Sequence, residues 1–580
     1  MKVTFLTFYN DYSIAVNVLT SILINAGYDV SVIFFKIPSR AKINWFHKKT
    51  ICSEHVNAYG DIIGVNSEVN KWTDTEVQLL RNKIIELKTD VLCISSRTPD
   101  NELCLDILPK IRKTYKGIIL AGGYGPTLNP EIYTGLVDYV FIGEAETQII
   151  NIISKIESGE DIESLENICY KKNGKLVRNR LNKPGIFQFK TQIFTDKTYY
   201  IDNDLLYRSH EKNQILKTHT YSTFLGRGCI KGCTYCSAGQ WYKVYRNEGI
   251  HIKRRRNRPI QDVMDELLAI KNKGYTFIFF RDEFLSVNTK ILAGFFKWYE
   301  QHIRIPFWCY LVPNQIIEHP HILKHAVDAG FVDTEVGFQS GSDNINKKTF
   351  RRKLSVKDTI TYTKMLSKYK VNMKFDFMIF NPSETAEDIK KTFQVIQLLP
   401  KERSYLFLPR LLYYPGAPIY EILNEYHEEN LDFEYYYSIA LLYLICFVST
   451  KKEFDSILNN TNMVSSWELL FSYYKNYINK NEINFPIGTH NVPHSITTHR
   501  YQRSIQKNKY KDIIIISNSN YFKEMSHVFR DTNVISNIDE NDAMPILDRN
   551  IPIFICSPNK QKLKTQFYDA NPTYDGKLFV

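Results

Sequence analysis

Cys229, Cys233 and Cys236 stand in the run Gly226-Arg227-Gly228-Cys229-Ile230-Lys231-Gly232-Cys233-Thr234-Tyr235-Cys236, a Cys-x3-Cys-x2-Cys spacing with no fourth cysteine nearby. A [4Fe–4S] cube takes four ligands, so three thiolates hold three irons and leave one open. An open iron binds a small molecule, which turns an electron carrier into a catalyst. Gly226, Gly228 and Gly232 suit such a site, because residues without a Cβ let backbone amides approach the cluster sulfurs. The competing reading is half of a structural zinc site, with His251 or a distant residue as fourth ligand. Such sites usually come as two Cys or Cys/His pairs, and no second pair exists here. Cys52, Cys93, Cys104, Cys169, Cys309, Cys446 and Cys556 are scattered singly, as buried thiols often are.

The elements that must position this loop alternate strand and helix. Val3 to Phe8 reads as a strand, Ile14 to Ala26 as a helix closed by Gly27, and Tyr28 to Phe35 as a second strand. Val91 to Ser95, Gly117 to Ala121 and Val137 to Ile142 are further short apolar runs. That order predicts a parallel, doubly wound sheet whose ligands sit at the carboxyl ends of its strands. Those ends read Ser95-Ser96, then Gly122-Gly123-Tyr124-Gly125-Pro126-Thr127, then Gly143-Glu144-Ala145-Glu146. A hairpin is expected around Lys172-Asn173-Gly174-Lys175. From about residue 216 strands recur at Tyr221–Leu225, Thr276–Phe280, Phe307–Leu311, Thr334–Phe338, Lys374–Phe380 and Leu406–Tyr413. Repeated β/α units of this length predict a barrel, with its chemistry at the carboxyl ends of the strands. The cysteine loop follows the first of them.

Composition narrows the class. The 580 residues suffice for about three or four domains, and 44% hydrophobic content is ordinary for a globular chain. The start, Met1-Lys2-Val3-Thr4-Phe5, runs directly into a strand and reads as no signal peptide. The uncharged stretch Tyr435 to Thr450 is too short to span a bilayer comfortably and reads as a buried helix. Ten cysteines without paired spacing point to a reducing, cytoplasmic setting. The net charge of +12 peaks at Lys253-Arg254-Arg255-Arg256-Asn257-Arg258. Such a run is usually a solvated turn, or meets acidic groups of a substrate or cofactor, and contact with nucleic acid is unlikely.

The cysteine spacing, with Tyr235 just before the last cysteine, resembles the signature of the radical S-adenosylmethionine (radical SAM) enzymes. The resemblance implies a partial (β/α)6 core in which SAM chelates the open iron. Asp282 and Glu283 fall where relatives bind the SAM ammonium. Gly337-Phe338-Gln339-Ser340-Gly341-Ser342 resembles a Gly-x-Glu-Ser-Gly segment near the ribose, with Gln339 in place of Glu. Phe377-Met378-Ile379-Phe380-Asn381-Pro382-Ser383-Glu384 lies over Gly-x-Ile-x-Gly-x-x-Glu, with both glycines replaced and Ile379 set to pack on adenine. Tyr414-Pro415-Gly416-Ala417-Pro418 is similar to the turn that ends the last strand. The N-terminal strand ends resemble a cobalamin-binding domain, in which Ser95, Ser96, Gly122, Gly123, Gly143 and Glu144 would line the slot for the nucleotide tail. The usual cobalt-ligating His is missing from Phe8-Tyr9-Asn10-Asp11-Tyr12-Ser13, so no residue is named as a cobalt ligand.

The expected organisation is a cobalamin-binding-like domain at 1–150, a connecting region at 151–215 and a radical SAM core at 216–425. A helical region at 426–505 and a small α/β module at 506–580 follow. The resemblance implies a [4Fe–4S] cluster, SAM and cobalamin as cofactors, and an electron donor such as flavodoxin or ferredoxin. The activity it implies is methyl transfer to an unactivated carbon of a small molecule or peptide. A cyclase, rearrangement or oxidation enzyme using the same cofactors, and a non-catalytic cluster or zinc protein, are the alternatives. A methylthiotransferase lacks support, because the N-terminal half has no second cysteine triad.

Overall fold

The computed structural model describes residues 1–8, 13–36, 72–185, 195–202, 204–208, 220–285, 287–401, 403–409, 411, 417–423 and 433–460, with isolated strands elsewhere. Tyr9–Tyr12 and Tyr414–Gly416, named above, lie outside the described residues.

The N-terminal sheet has nine strands. At its centre Lys2–Phe8 pairs in parallel with Asp29–Phe35 on one side and Val91–Ser95 on the other. Ile118–Gly122 and Tyr139–Phe141 extend it on the side of Val91–Ser95. The order therefore reverses beside the first strand, the topological switch point where such sheets open a crevice. Central strands are buried at nearly every position and mostly apolar, as burial on both faces demands, with Thr4, Thr7 and Ser31 the small polar residues buried among them. Val3, Leu6, Val91, Leu92 and Val140 are all 0% exposed. The helix Ile14–Asn25 starts on Ser13, whose side chain accepts from the Val16 amide, and Asp74–Glu86 starts on a Thr73/Glu76 capping box.

The segment read as a connecting region belongs to this sheet. Ile168–Lys172 and Lys175–Arg178 form an antiparallel hairpin on one edge. Its two-residue turn has Asn173 at φ 51° and Gly174 at φ 78°, the left-handed pair an Asn-Gly turn needs. Thr198–Asp202 adds in parallel beside Asp29–Phe35, and Leu205–Arg208 closes that edge antiparallel. The sequence concealed this because the strands are only four or five residues long, and the two at the edges, Lys175–Arg178 and Leu205–Arg208, are exposed or half-buried throughout and carry a weak alternation.

Six parallel strands in consecutive order follow: Thr220–Thr223, Phe277–Phe280, Phe307–Trp308, Phe331–Gln339, Asn372–Phe377 and Ser404–Phe407. This is the expected partial barrel. Alternate residues, among them Ile278, Phe280, Val336, Phe338, Met373 and Phe375, point outward into one core with Leu267, Phe296, Leu323 and Leu366 of the surrounding helices. Each such side chain contributes about 1.5–3 kcal/mol of burial. The uncharged stretch forms the helix Phe433–Val448, whose Tyr443 and Phe447 pack on Phe393 and Phe375. It is apolar on several sides because it is covered. Among the described residues no helix is long and apolar enough to cross a membrane.

Residues 487–580 form a second compact unit. Its described part is a four-stranded parallel sheet in the order Asn533–Ile538, Asp512–Ile516, Ile553–Ile555, Leu578–Phe579.

Candidate active site

The cysteine loop leaves the first barrel strand and is fixed at once by a short antiparallel bridge. Gly226 pairs with Asn257 and Arg227 with Arg256. A Cβ on Gly226 would lie 2.6 Å from the Arg256 carbonyl oxygen, and one on Gly228 would collide with that of Arg254. Gly228 also has φ +83°. These two glycines therefore admit the backbone of the basic run, not cluster sulfurs. Gly232 has only a guanidinium nitrogen of Arg254 nearby, at 3.7 Å, and is the open one.

The basic run is not a solvated turn. Arg255 donates to Asp282 and lies 3.8 Å from Glu283, Arg256 donates to Glu144, and Arg258 donates to Glu266 at 2.8 Å. Lys253 and Arg254 are exposed, with Arg254 over the Tyr242 ring at 4.4 Å. The run gives the loop internal counter-charges.

Beyond the glycines, the three cysteines are half-buried. The Lys231 amide donates to Cys229 Sγ at 3.4 Å, and the Ala238 amide donates to Cys236. Burial pushes the Cys236 thiol up to about 11 and raises Cys229, and each is raised further by the charge of its neighbouring cysteines. The three sulfurs thus share one electrostatic neighbourhood in which thiolates need a bound cation. Among the described residues no three His, Cys, Asp or Glu side chains converge on a single metal ion. A cube asks only one thiolate per iron, plus amide hydrogen bonds to sulfur, and this donor set fits it.

The far side of the loop is held across the barrel. The Thr234 amide donates to the Phe350 carbonyl at 3.1 Å, and its hydroxyl donates to Thr349 at 2.7 Å. Tyr235 packs edge-on against Phe350 and accepts from Arg352 at 2.8 Å, while Arg352 also donates to the Gly337 carbonyl at 2.6 Å. Tyr235 is thus a strut for the loop. Arg352 carries no sequence signal, being 117 positions away from it.

The acidic pair divides. Asp282, 1% exposed, accepts from the Leu225 and Gly226 amides at 2.8 and 2.9 Å, and from Arg255. Its carboxylate holds the root of the loop through these three donors. Glu283 is half-buried, is raised by burial and then by Asp282, and is the carboxyl that acts electrostatically on both Cys229 and Cys236.

At the next strand ends Gln339 has φ +66° and is 7% exposed, with Oε1 lacking a partner among the described residues. Strain and an orphaned acceptor together mark a ligand-facing position. Ser340 donates to Glu384 at 2.6 Å, and burial pushes Glu384 up to about 8. Ile379 is 3% exposed and packs in the hydrophobic core of the barrel.

The N-terminal strand ends meet this loop. Arg227 lies 2.5 Å from Glu146 and 3.4 Å from Glu144. Tyr124 packs on Trp241 with ring centroids 4.7 Å apart, and the Glu144 amide donates to the Tyr245 hydroxyl at 3.2 Å. A Cβ on Gly143 would strike that hydroxyl. Gly143 and Glu144 therefore make close contacts with Tyr245, Arg227 and Arg256 of the segment that follows the first barrel strand. Ser96 is likewise engaged, with Tyr133 at 2.7 Å and Cys104 at 3.4 Å. A Cβ on Gly123 would lie 2.5 Å from the Ser96 carbonyl oxygen. Ser95 and Gly122, opposite one another in register, remain half-exposed.

Comparison with known proteins agrees with this geometry. Residues 223–396 match the radical SAM superfamily. An uncharacterized methyltransferase of Pyrococcus horikoshii is 23% identical over 308 residues, 52% of this chain and 62% of that protein. A tRNA-2-methylthio-N(6)-dimethylallyladenosine synthase of Ehrlichia chaffeensis is 25% identical over 236 residues, 37% of this chain and 48% of that protein. The chain thus spans less than two thirds of either relative. In fold it is similar to the radical SAM methyltransferase TsrM of Kitasatospora setae, solved with cobalamin and a [4Fe–4S] cluster. That likeness has a TM-score of 0.53 at 14% identity, over 73% of this chain and 75% of that one. A radical SAM domain brings SAM and a [4Fe–4S] cluster as its cofactors. Residues 223–396 of the chain thus carry the match to the radical SAM superfamily, and they contain the cysteine loop and four of the six barrel strands in full.

Proposed function

We propose that the protein is a cobalamin-dependent radical SAM methyltransferase acting on an unactivated carbon of a small molecule or peptide. The observation that carries the reading is the direct joining of the cysteine loop to the carboxyl ends of the N-terminal sheet, through Arg227 and Glu146. The cluster-holding and cobalamin-holding edges would then lie side by side. The fold shared with TsrM supports the same order, sheet first and barrel second.

Cys229, Cys233 and Cys236 would hold the cluster. Glu283 and Gln339 would offer acceptors to SAM, with Glu384 and Ser340 setting the polarity behind them. Ser95 and Gly122 would admit the cobalamin tail, since a Cβ on Gly122 would meet no atom nearer than 3.9 Å. When bound, the cluster and SAM supply a hydrogen-abstracting radical, and cobalamin supplies a carried methyl group. The chain's own part is to keep the loop rigid through Asp282, Arg255, Thr234 and Arg352, and to exclude water from the barrel mouth.

The test is anaerobic assay of the cobalamin-loaded chain with SAM and a reductant. 5′-Deoxyadenosine together with S-adenosylhomocysteine is expected. Deoxyadenosine alone would replace methyl transfer by a cyclisation, rearrangement or oxidation. Reductive SAM cleavage by a Cys233→Ala variant would refute the cluster assignment.

A further inference from the structure

We infer that the barrel lumen is built to take the ammonium group of an amine-bearing substrate, held by the Glu335–Asp376 carboxyl pair beside the Trp308 and Tyr310 rings. The inference rests on the proposed enzymatic reading and adds the substrate class.

The inner face of the barrel is unlike its outer face. Thr334, Val336, Phe375 and Phe377 point away and are buried. Between them Asp333 and Glu335 on one strand, and Lys374 and Asp376 on the next, turn inward. Glu335 stands opposite Lys374 in register, and Gly337 opposite Asp376. Lys374 donates to Glu335 and its ammonium lies over the Phe407 ring at 4.0 Å from the centroid. Trp308 is in register with Asp333, and its ring meets that of Tyr310 edge-on at 4.4 Å. The Tyr310 hydroxyl bonds to Glu335.

The carboxyls are crowded. Asp333, Glu335 and Asp376 stand around the ammonium of Lys374, and the Arg352 guanidinium acts on Asp376 while bonding to Tyr235 and the Gly337 carbonyl. Asp376 is 8% exposed, and its Oδ1 has no hydrogen-bond partner among the described residues. A buried acceptor left without a donor costs about 1–3 kcal/mol, which a ligand recovers by supplying one. Burial and neighbouring carboxylates push Asp333 up to about 8 and raise Asp376, so these groups hold their protons more firmly. Glu335, bonded to Asp376 and Lys374, is held below the usual range. An ammonium supplies the donor that Asp376 Oδ1 lacks, beside a carboxylate already bonded to its neighbour, and an aromatic wall gains further from a cation across its face.

The test uses the full chain with cluster and SAM, titrated by calorimetry with phenethylammonium and with 2-phenylethanol, its neutral counterpart. Binding of the ammonium at least about tenfold tighter is expected, as one charge-assisted hydrogen bond gives. Asp376→Asn should narrow that ratio several-fold while binding of the alcohol holds. Equal affinity of the two probes in the wild-type chain would overturn the inference, and needs no variant. Failure of the enzymatic reading is scored separately, by absence of deoxyadenosine from the wild-type chain while the ammonium still binds.

Discussion

Arg227 stands two residues ahead of Cys229 and lies 2.5 Å from Glu146, which belongs to the loop after a parallel strand of the N-terminal sheet. The residue that leads into the cluster loop is therefore also the residue that ties the barrel to the other domain. Both side chains are largely buried, 24% and 8% exposed, and Arg227 further covers the Phe224 ring at 5.1 Å.

Arg227→Ala should weaken that joint. Glu144 keeps Arg256, whereas Glu146 loses its partner in a buried setting, an arrangement that costs about 3–5 kcal/mol. Scanning calorimetry should show the single transition of residues 1–460 splitting in two, with the sheet and the barrel melting apart. One unchanged transition would show that other contacts suffice.

Gly228→Ala and Gly232→Ala should behave differently, although both lie between cysteine-loop positions. The first demands a left-handed residue against the Arg254 carbonyl, while the second has open space. Iron and sulfide bound per chain after anaerobic reconstitution should fall to background for Gly228→Ala and stay near wild type for Gly232→Ala.

Glu266 is 0% exposed and accepts from Tyr221 at 2.5 Å, Thr223 at 2.8 Å and Arg258 at 2.8 Å. Glu266→Ala leaves a buried guanidinium without its carboxylate and should destabilise the barrel by about 3–5 kcal/mol. Denaturant unfolding monitored by circular dichroism measures it. A loss under about 1 kcal/mol would mean that Arg258 finds another acceptor.

Glu384 gives a pH signature. Its native carboxyl is raised to about 8 by burial, offset in part by the Ser340 hydroxyl. In the unfolded chain it ionises near its ordinary value. Between that value and about 8 the native state binds the extra proton, so stability falls as pH rises. Melting temperatures of SAM-free chain should decline across that window, and Glu384→Gln should flatten the decline.

Much of this was legible in the linear chain. Strand positions at Val91–Ser95 and Ile118–Gly122 and the Asn-Gly hairpin follow from local pattern, because apolar runs and turn residues are short-range properties. The partners of charged groups are long-range, and there the reading diverged. Arg255, Arg256 and Arg258 look in sequence like a solvated cluster, yet their carboxylates come from positions 27, 112 and 8 residues away. Asp282 looks like a cofactor contact, and only the return of the loop past Leu225 and Gly226 shows that the backbone claims it first. Sequence thus determined which chemistry the chain can host. Tertiary structure alone decided which acid, which arginine and which glycine serve that chemistry and which serve the scaffold, since a side chain has one set of hydrogen-bonding sites and its nearest partner in space takes them.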